Sequence, residues 1–294
     1  MALTVHRHES VDEFLAAAGD FLVARETEHN LMLGICSTIR ADPERFAEDP
    51  PMFATVTDAA GRVMAASLRT PPFNQVMSWL DEPEAVDALV DALRDAPLPG
   101  VLGPKEPAAQ FAARWTSLTG KAARVEVAER IFRLERVILS ARPAPGTWRR
   151  GGAGDHELLL RWWLDFLAEA MPEQAPPPDP GAVVDRWIAS DHQWIYLWEV
   201  GGEVVSLVGA GAETPNGVRI GPVYTPLEHR NRGYASALTA AASQDQLDRG
   251  RRFVFLFTDL ANPTSNKIYQ AIGYEPVCDV DMYRFEAGPV ALDP

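Results

Sequence analysis

Cysteine is almost absent from this 294-residue chain. Cys36 and Cys278 stand far apart with no histidine at ligand spacing, so neither a disulfide framework nor a zinc or other metal site is expected, and both read as core thiols. Lysine is nearly as scarce. Lys105, Lys121 and Lys267 are the only three, and the basic charge is otherwise arginine. A formal net charge of -14 at pH 7 argues against nucleic acid, whose phosphates such a surface repels, and weakly favours a cationic small molecule. No run of about 18 apolar residues occurs, as a membrane span needs. The opening MALTVHRHES lacks the apolar centre of a signal peptide, so a cytoplasmic protein without membrane attachment is expected. His156 and His192 fall in loop-like contexts with no serine or cysteine partner, which leaves no basis for a hydrolase triad.

What is present is enough apolar sequence, 47%, to build two domains of ordinary size. Two Pro/Gly-rich breaks punctuate the chain, ARPAPGTWRRGGAG from Ala141 and PEQAPPPDPG from Pro172. The first falls near the middle and divides residues 1–142 from 143–294. Before it, MFATVTD, RVMAASL and QVMSWL read as a three-strand meander, followed by the helical PEAVDALVDALRDA. After it, WIYLWEV, EVVSLVGAGAE and VRIGPVYT repeat that order, followed by the helical YASALTAAASQDQLDRG. Each half then continues strand, helix, strand. The closing strands, IFRLE at Ile131 to Glu135 and MYRFE at Met282 to Glu286, are alike almost residue by residue. The chain thus reads as an internal repeat of about 150 residues, each copy an α+β mixture with a mostly antiparallel central sheet flanked by helices.

Three stretches offer themselves for phosphate. In HRNRGYASAL, Gly233 opens a helix whose unpaired N–H groups and dipole suit an anion, with Arg230 and Arg232 on its flanks. RRGGAG, with Arg149, Gly152 and Gly154, has the same spacing and also precedes a helix, but follows a proline-rich stretch rather than a full strand. VGAGAE at Val208 to Glu213 resembles a dinucleotide fingerprint, yet lacks the third glycine and runs into a TPNG turn. The Gly233 copy alone lies directly between an apolar strand and a helix of small residues. After the next strand, FVFLFTD, comes NPTSNKIYQAIGYEPV, an Asn-Pro helix start with Ser265 in its first turn and Tyr269 seven residues beyond Asn262.

Together VYTPLEHRNRGYASAL and TDLANPTSNKIYQAIGYEPV resemble the two coenzyme motifs of the GNAT superfamily, N-acetyltransferases that use acetyl-coenzyme A. The resemblance spans about Val218 to Val277, with supporting strands through the second half. It implies that the backbone of Val223, Tyr224 and Thr225 pairs with the pantetheine arm like an added strand. It implies that N–H groups of the turn, from Asn231 through Arg232, Gly233 and Tyr234 to Ala235, with Ser236 following, hold the pyrophosphate. Asn262 matches the family's coenzyme-contacting asparagine, Ser265 lies one helical turn on, and Tyr269 matches the tyrosine beside the thioester sulfur. The alternative for Tyr269 is an aromatic packed under the IGY turn.

The first half departs from this pattern. Its SWLDEPEAVDALVDAL has no Arg-flanked glycine, Asp81, Glu82 and Glu84 would repel a pyrophosphate, and Trp115 stands roughly where Tyr269 does. It is expected to be a degenerate copy that supports the other half or shapes its acceptor site. The expected reaction is direct acetyl transfer to a primary amine in a ternary complex, with Tyr269 as acid and Glu213, Asp259 or Glu199 as candidate bases. Six of the eight tryptophans lie between Trp148 and Trp198, and RWWLDFLAEAMPE either lines the acceptor pocket or packs the core. A non-catalytic acyl-coenzyme A binding or regulatory module, and transfer of a larger acyl group, stay open, as do monomer and homodimer.

Overall fold

The structure, a computed structural model, describes residues 2–46, 49–80, 82–170 and 176–286. Asp81, part of the acidic stretch above, and residues 172–175 of the second break lie outside them. The first elements are β1 (Thr4–His8), α1 (Val11–Ala24), α2 (Asn30–Ala41), β2 (Met52–Thr57), β3 (Val63–Arg69), β4 (Gln75–Met77), α3 (Glu84–Leu93), β5 (Gly100–Pro104), α4 (Lys105–Thr119) and β6 (Ala122–Leu134). They continue with β7 (Thr147–Arg150), α5 (His156–Ala170), α6 (Pro180–Ala189), β8 (Trp194–Val200), β9 (Glu203–Gly211), β10 (Gly217–Tyr224), α7 (Tyr234–Asp248), β11 (Phe253–Asp259), α8 (Pro263–Ile272) and β12 (Glu275–Glu286). The order strand, strand, strand, helix, strand, helix, strand therefore occurs twice, as β2 to β6 and as β8 to β12. This is the mixed, mostly antiparallel architecture that the sequence pattern implies.

Contacts divide the chain into two compact units. One comprises Met1–Ile131, Phe257–Asn262 and Pro276–Pro294; the other comprises Phe132–Leu256 and Pro263–Glu275. This differs from a single cut at 142/143, because β12 contributes to the first unit. There it pairs antiparallel with β5, from Val280↔Pro104 to Arg284↔Gly100. Its Phe285 stacks on Phe111 and Trp115, with ring centroids 6.4 and 5.5 Å away, contacts of a kind worth about 0.5–1.5 kcal/mol each beyond area burial. Phe132 and Leu134 of β6 belong to the core of the second unit. The likeness of IFRLE and MYRFE gives the physical reason, since either closing strand presents the same side-chain pattern to a slot of the same shape.

In the first unit the strands run β1-β2-β3-β4-β5-β12, antiparallel except for the parallel pair β4/β5. Alternate residues face opposite ways along a strand. Phe53, Leu68 and Val76 accordingly meet Phe14, Leu22 and Met32 of α1 and α2, while Ala54, Ala65 and Met77 meet Leu89, Phe111 and Trp115 of α3 and α4. The second unit repeats this on β11-β10-β9-β8-β7. Trp194, Tyr196 and Trp198 share a core with Leu238 and Ala242 of α7, while Ile195 and Leu197 meet Leu159, Trp162 and Val184 of α5 and α6.

Candidate active site

The site begins with an irregularity in β10. Its register with β9 is Ile220↔Ala210 and then Val223↔Val208, so Gly221 and Pro222 oppose Gly209 alone, a β-bulge. A Cβ on Gly209 would lie 2.8 Å from the Gly221 carbonyl oxygen, so only glycine fits beside the bulge. On its other edge β10 pairs in parallel with β11 through Gly217↔Phe253, Val218↔Val254 and Arg219↔Phe255, and the register ends there. Residues 223–225 therefore lie beyond the last β10/β11 pair, as strand-like addition of a ligand requires. Their backbone is held from within: Ser206 Oγ donates to the Tyr224 carbonyl at 3.1 Å, and Arg230 Nε donates to the Thr225 carbonyl at 2.8 Å.

The turn that follows is built for unpaired N–H groups. Asn231 and Gly233 both take left-handed backbone conformations, with φ of 63° and 79°. α7 starts at Gly233 with no side-chain cap and no acidic residue in its first turn. Such alternation at an open helix start aims successive N–H groups into one concavity, the geometry that binds anions. Arg232, Asn231 and Gly233 are exposed, Ala235 and Ser236 half-buried and Tyr234 buried. Arg230 is occupied otherwise than the spacing suggests. Its guanidinium pairs with Glu169 at 2.6 Å and lies 6.0 Å from the centre of the Tyr224 ring, so it braces the turn.

Tyr269 lies in α8, half-buried, with its ring edge-on to Tyr274 at 6.0 Å. Burial pushes its hydroxyl up to about 12, which keeps the proton on at neutral pH. Ser265 lies one turn earlier on the same helix, also half-buried. Asn262 and Asp259 fall in the part of the chain that belongs to the first unit. Asp259 accepts the Ala261 N–H at 2.7 Å, and its carbonyl accepts the Asn262 N–H at 3.0 Å, a turn that ends β11.

A bulged strand thus leads to a helix start without a side-chain cap, and a half-buried tyrosine stands on the next helix. Residues 159–274 match the acetyltransferase (GNAT) family. They form a GNAT domain. No curated protein matches the chain. A Drosophila protein of known structure aligns over 95% of this chain and 97% of its own, with a TM-score of 0.66 and 14% identity. A tandem GNAT protein from the clavulanic acid biosynthesis pathway aligns over 99% and 100%, with a TM-score of 0.57 and 13% identity. A GCN5-related N-acetyltransferase from Kribbella flavida aligns over 77% and 88%, with a TM-score of 0.54 and 17% identity. At these identities the likeness concerns the fold.

Two candidate bases within the GNAT domain are committed to other partners. Glu213 pairs with Arg251 and lies 3.1 Å from His192. It sits where β9 turns into β10, at the Gly217 end of an eight-residue strand, and so lies about 20 Å along the strand from Tyr224. Glu199 accepts from Arg149 at 2.9 Å. The RRGGAG loop is likewise internally satisfied, since Asp155 accepts both the Gly152 N–H at 2.9 Å and two bonds from Arg149 at 2.7 and 2.8 Å. A groove of about 720 Å³ opens beside Tyr224, lined by Trp162, Asp165, Glu169, Glu203 and His229 among others. Trp162 is buried in the core and still lines this groove, whereas Trp163 packs on Trp187 at 4.8 Å. Asp165 and Glu169 went unnoticed in the sequence, although their spacing of four puts both on one face of α5. The pKa of the Tyr224 hydroxyl is raised first by burial and then by the charges of Asp165 and Glu169.

The corresponding place in the first unit is closed. His29 is buried, and its Nε2 accepts the Trp79 N–H at 2.9 Å, just beyond β4, while Nδ1 donates to the Leu22 carbonyl at 2.9 Å. Met77 packs on Gly103, where a Cβ would approach it to 2.9 Å. The remaining cavity measures about 20 Å³, room for one water.

Proposed function

We propose that residues 143–294 are the catalytic part of an acetyl-coenzyme A dependent N-acetyltransferase acting on a primary amine of a small molecule, and that residues 1–142 support it without binding the coenzyme. The observation that carries this reading is the uncapped start of α7, with Asn231 and Gly233 left-handed, at the end of a bulged strand whose outer edge is unpaired past Arg219.

The residues fit the coenzyme. N–H groups from 231 to 235 would hold the pyrophosphate, the 223–225 edge the pantetheine arm, and Ser265 the coenzyme as it passes α8. The coenzyme supplies an activated acetyl thioester. Tyr269 holds a proton at neutral pH and would give it to the sulfur as the carbon–sulfur bond breaks, while the neutral amine nitrogen attacks the carbonyl carbon in the same ternary complex and releases its own proton, through water, to the tyrosinate left behind. The groove beside Tyr224 would admit the acceptor, and its carboxylates Asp165 and Glu203 favour a cation. Glu213, held by Arg251 and His192 at the far end of the strand, takes no part in this scheme.

Calorimetric titration with acetyl-coenzyme A tests the reading. Wild type should bind one equivalent, and Gly233→Glu should lose affinity more than about 100-fold, because it places bulk and negative charge at the anion site. Gly233→Ala separates backbone strain from charge. A folded wild type that binds nothing would overturn the proposal.

A further inference from the structure

The segment joining β6 to β7, residues 135–146, is pinned along the second unit at several points. The Ile138 N–H donates to the Ile272 carbonyl at 2.6 Å, and Gly273, with φ of 112°, leaves room for the Arg136 carbonyl, which a Cβ there would approach to 2.6 Å. At the far end Trp198 Nε1 donates to the Pro145 carbonyl at 2.9 Å. Gly146, with φ of 114°, lies so close to Glu199 that a Cβ would come within 2.3 Å of its carbonyl oxygen. Between these anchors Ala144 packs on the core, and its methyl is the nearest neighbour of the open space at Gly233, 3.7 Å from where a Cβ would stand. The segment thus passes beside the start of α7.

Two residues before Ala144 stands Arg142, exposed, in a tight turn whose backbone N–H and carbonyl both bond Ser140 Oγ, at 3.1 and 3.0 Å. Its guanidinium has no partner among the described residues, and neither has that of Arg232, next to Gly233 in the turn. Arg230, by contrast, is paired with Glu169, so the cations free to meet a ligand near this uncapped helix start are Arg142 and Arg232. Two residues of chain span at most about 7 Å, which brings an arginine at 142 within reach of a phosphate seated on α7.

We propose that the connecting segment is a wall of the coenzyme site and that Arg142 is a further coenzyme-binding residue, taking a phosphate oxygen. This rests on the reading of the α7 start as the pyrophosphate site. The cation recognises a phosphate, and coenzyme A carries both a pyrophosphate and a 3′-phosphate.

Calorimetry with coenzyme A and with dephospho-coenzyme A on wild type, Arg142→Ala and Arg142→Lys tests it, with thermal melting to show that the exposed substitution leaves the fold intact. Arg142→Ala should weaken coenzyme A about tenfold, the size of one charge-assisted hydrogen bond, and Arg142→Lys should restore part of that. A loss confined to coenzyme A assigns the contact to the 3′-phosphate, and an equal loss for both ligands assigns it to the pyrophosphate. Unchanged affinity for both ligands would overturn the role of Arg142 alone. Failure of wild type to bind either ligand would overturn it together with the reading of α7.

Discussion

α3 and α7 each follow the third strand of a meander, yet they begin on opposite chemistry. α7 starts from left-handed Gly233 with no acid in its first turn, whereas α3 starts from Pro83 in a helical conformation with Glu84 and Asp87 there. The strand before each differs in the same sense. β10 is bulged and its outer edge is unpaired past Arg219, while the backbone just past β4 is taken by His29. A helix start is an anion site only if the protein leaves its N–H groups unspent and its surroundings uncharged or basic. The fold alone supplies neither condition. At α7 neither condition is violated; at α3 the acidic first turn fails the second, and the backbone just past the preceding strand is taken by a side chain rather than left open.

The largest expected effect that sharpens this contrast lies at Tyr269. Its counterpart in the first unit's α4 is Trp115, fully buried and stacked on Phe111 and Phe285, with no hydroxyl to give. Tyr269→Phe should lower kcat about 100-fold, within the range expected of a general acid, while the calorimetric Kd for acetyl-coenzyme A stays within about twofold. Equal losses in kcat and Kd would show a packing role like that of Trp115.

Next comes the plug of the first unit. His29→Ala removes a buried ring and two hydrogen bonds, and should cost about 2–4 kcal/mol in urea unfolding with no second coenzyme equivalent gained. A stoichiometry rising to two would break the comparison, for the first unit would then be merely blocked. The same histidine carries a pH signature. Burial, the largest influence, holds its pKa below the ordinary value, with Arg25 acting the same way and Glu28 opposing. The unfolded chain takes up the proton near pH 6.5 and the folded one only below that, so the stability from neutral His29 is complete above about pH 6.5 and is lost as pH falls. Unfolding midpoints measured across this window should drop on the acid side in wild type and flatten in His29→Gln.

The legible features are those that depend on neighbours in the chain. The repeated meanders, Gly233 at a helix start and the contrast of acidic and neutral first turns all follow from short stretches of sequence. What was hidden depends on distant partners. Glu169 is 61 residues from the Arg230 it occupies, and His29 is 50 from the Trp79 N–H it accepts. Nothing local marks Glu213 as already paired to Arg251. β12 joining β5 is intermediate, because the likeness of IFRLE and MYRFE was visible but the sheet that each would join was not.

The smallest expected effect tests the same principle inside the second unit, where RRGGAG and HRNRGYA share a spacing. In the first of these Asp155 already acts as the anion: it accepts from Gly152 and Arg149, whose charge in turn holds its carboxyl below the usual range. The favourable ion pair persists above the ordinary carboxylate range and is lost as pH falls through the lowered value. Asp155→Ala should cost about 1–2 kcal/mol of stability, since Arg149 keeps Glu199. It should also leave the Kd for acetyl-coenzyme A unchanged. A measurable loss of coenzyme affinity would mean that the loop belongs to the binding site after all, and that an internal carboxylate is a stand-in for a phosphate rather than its replacement.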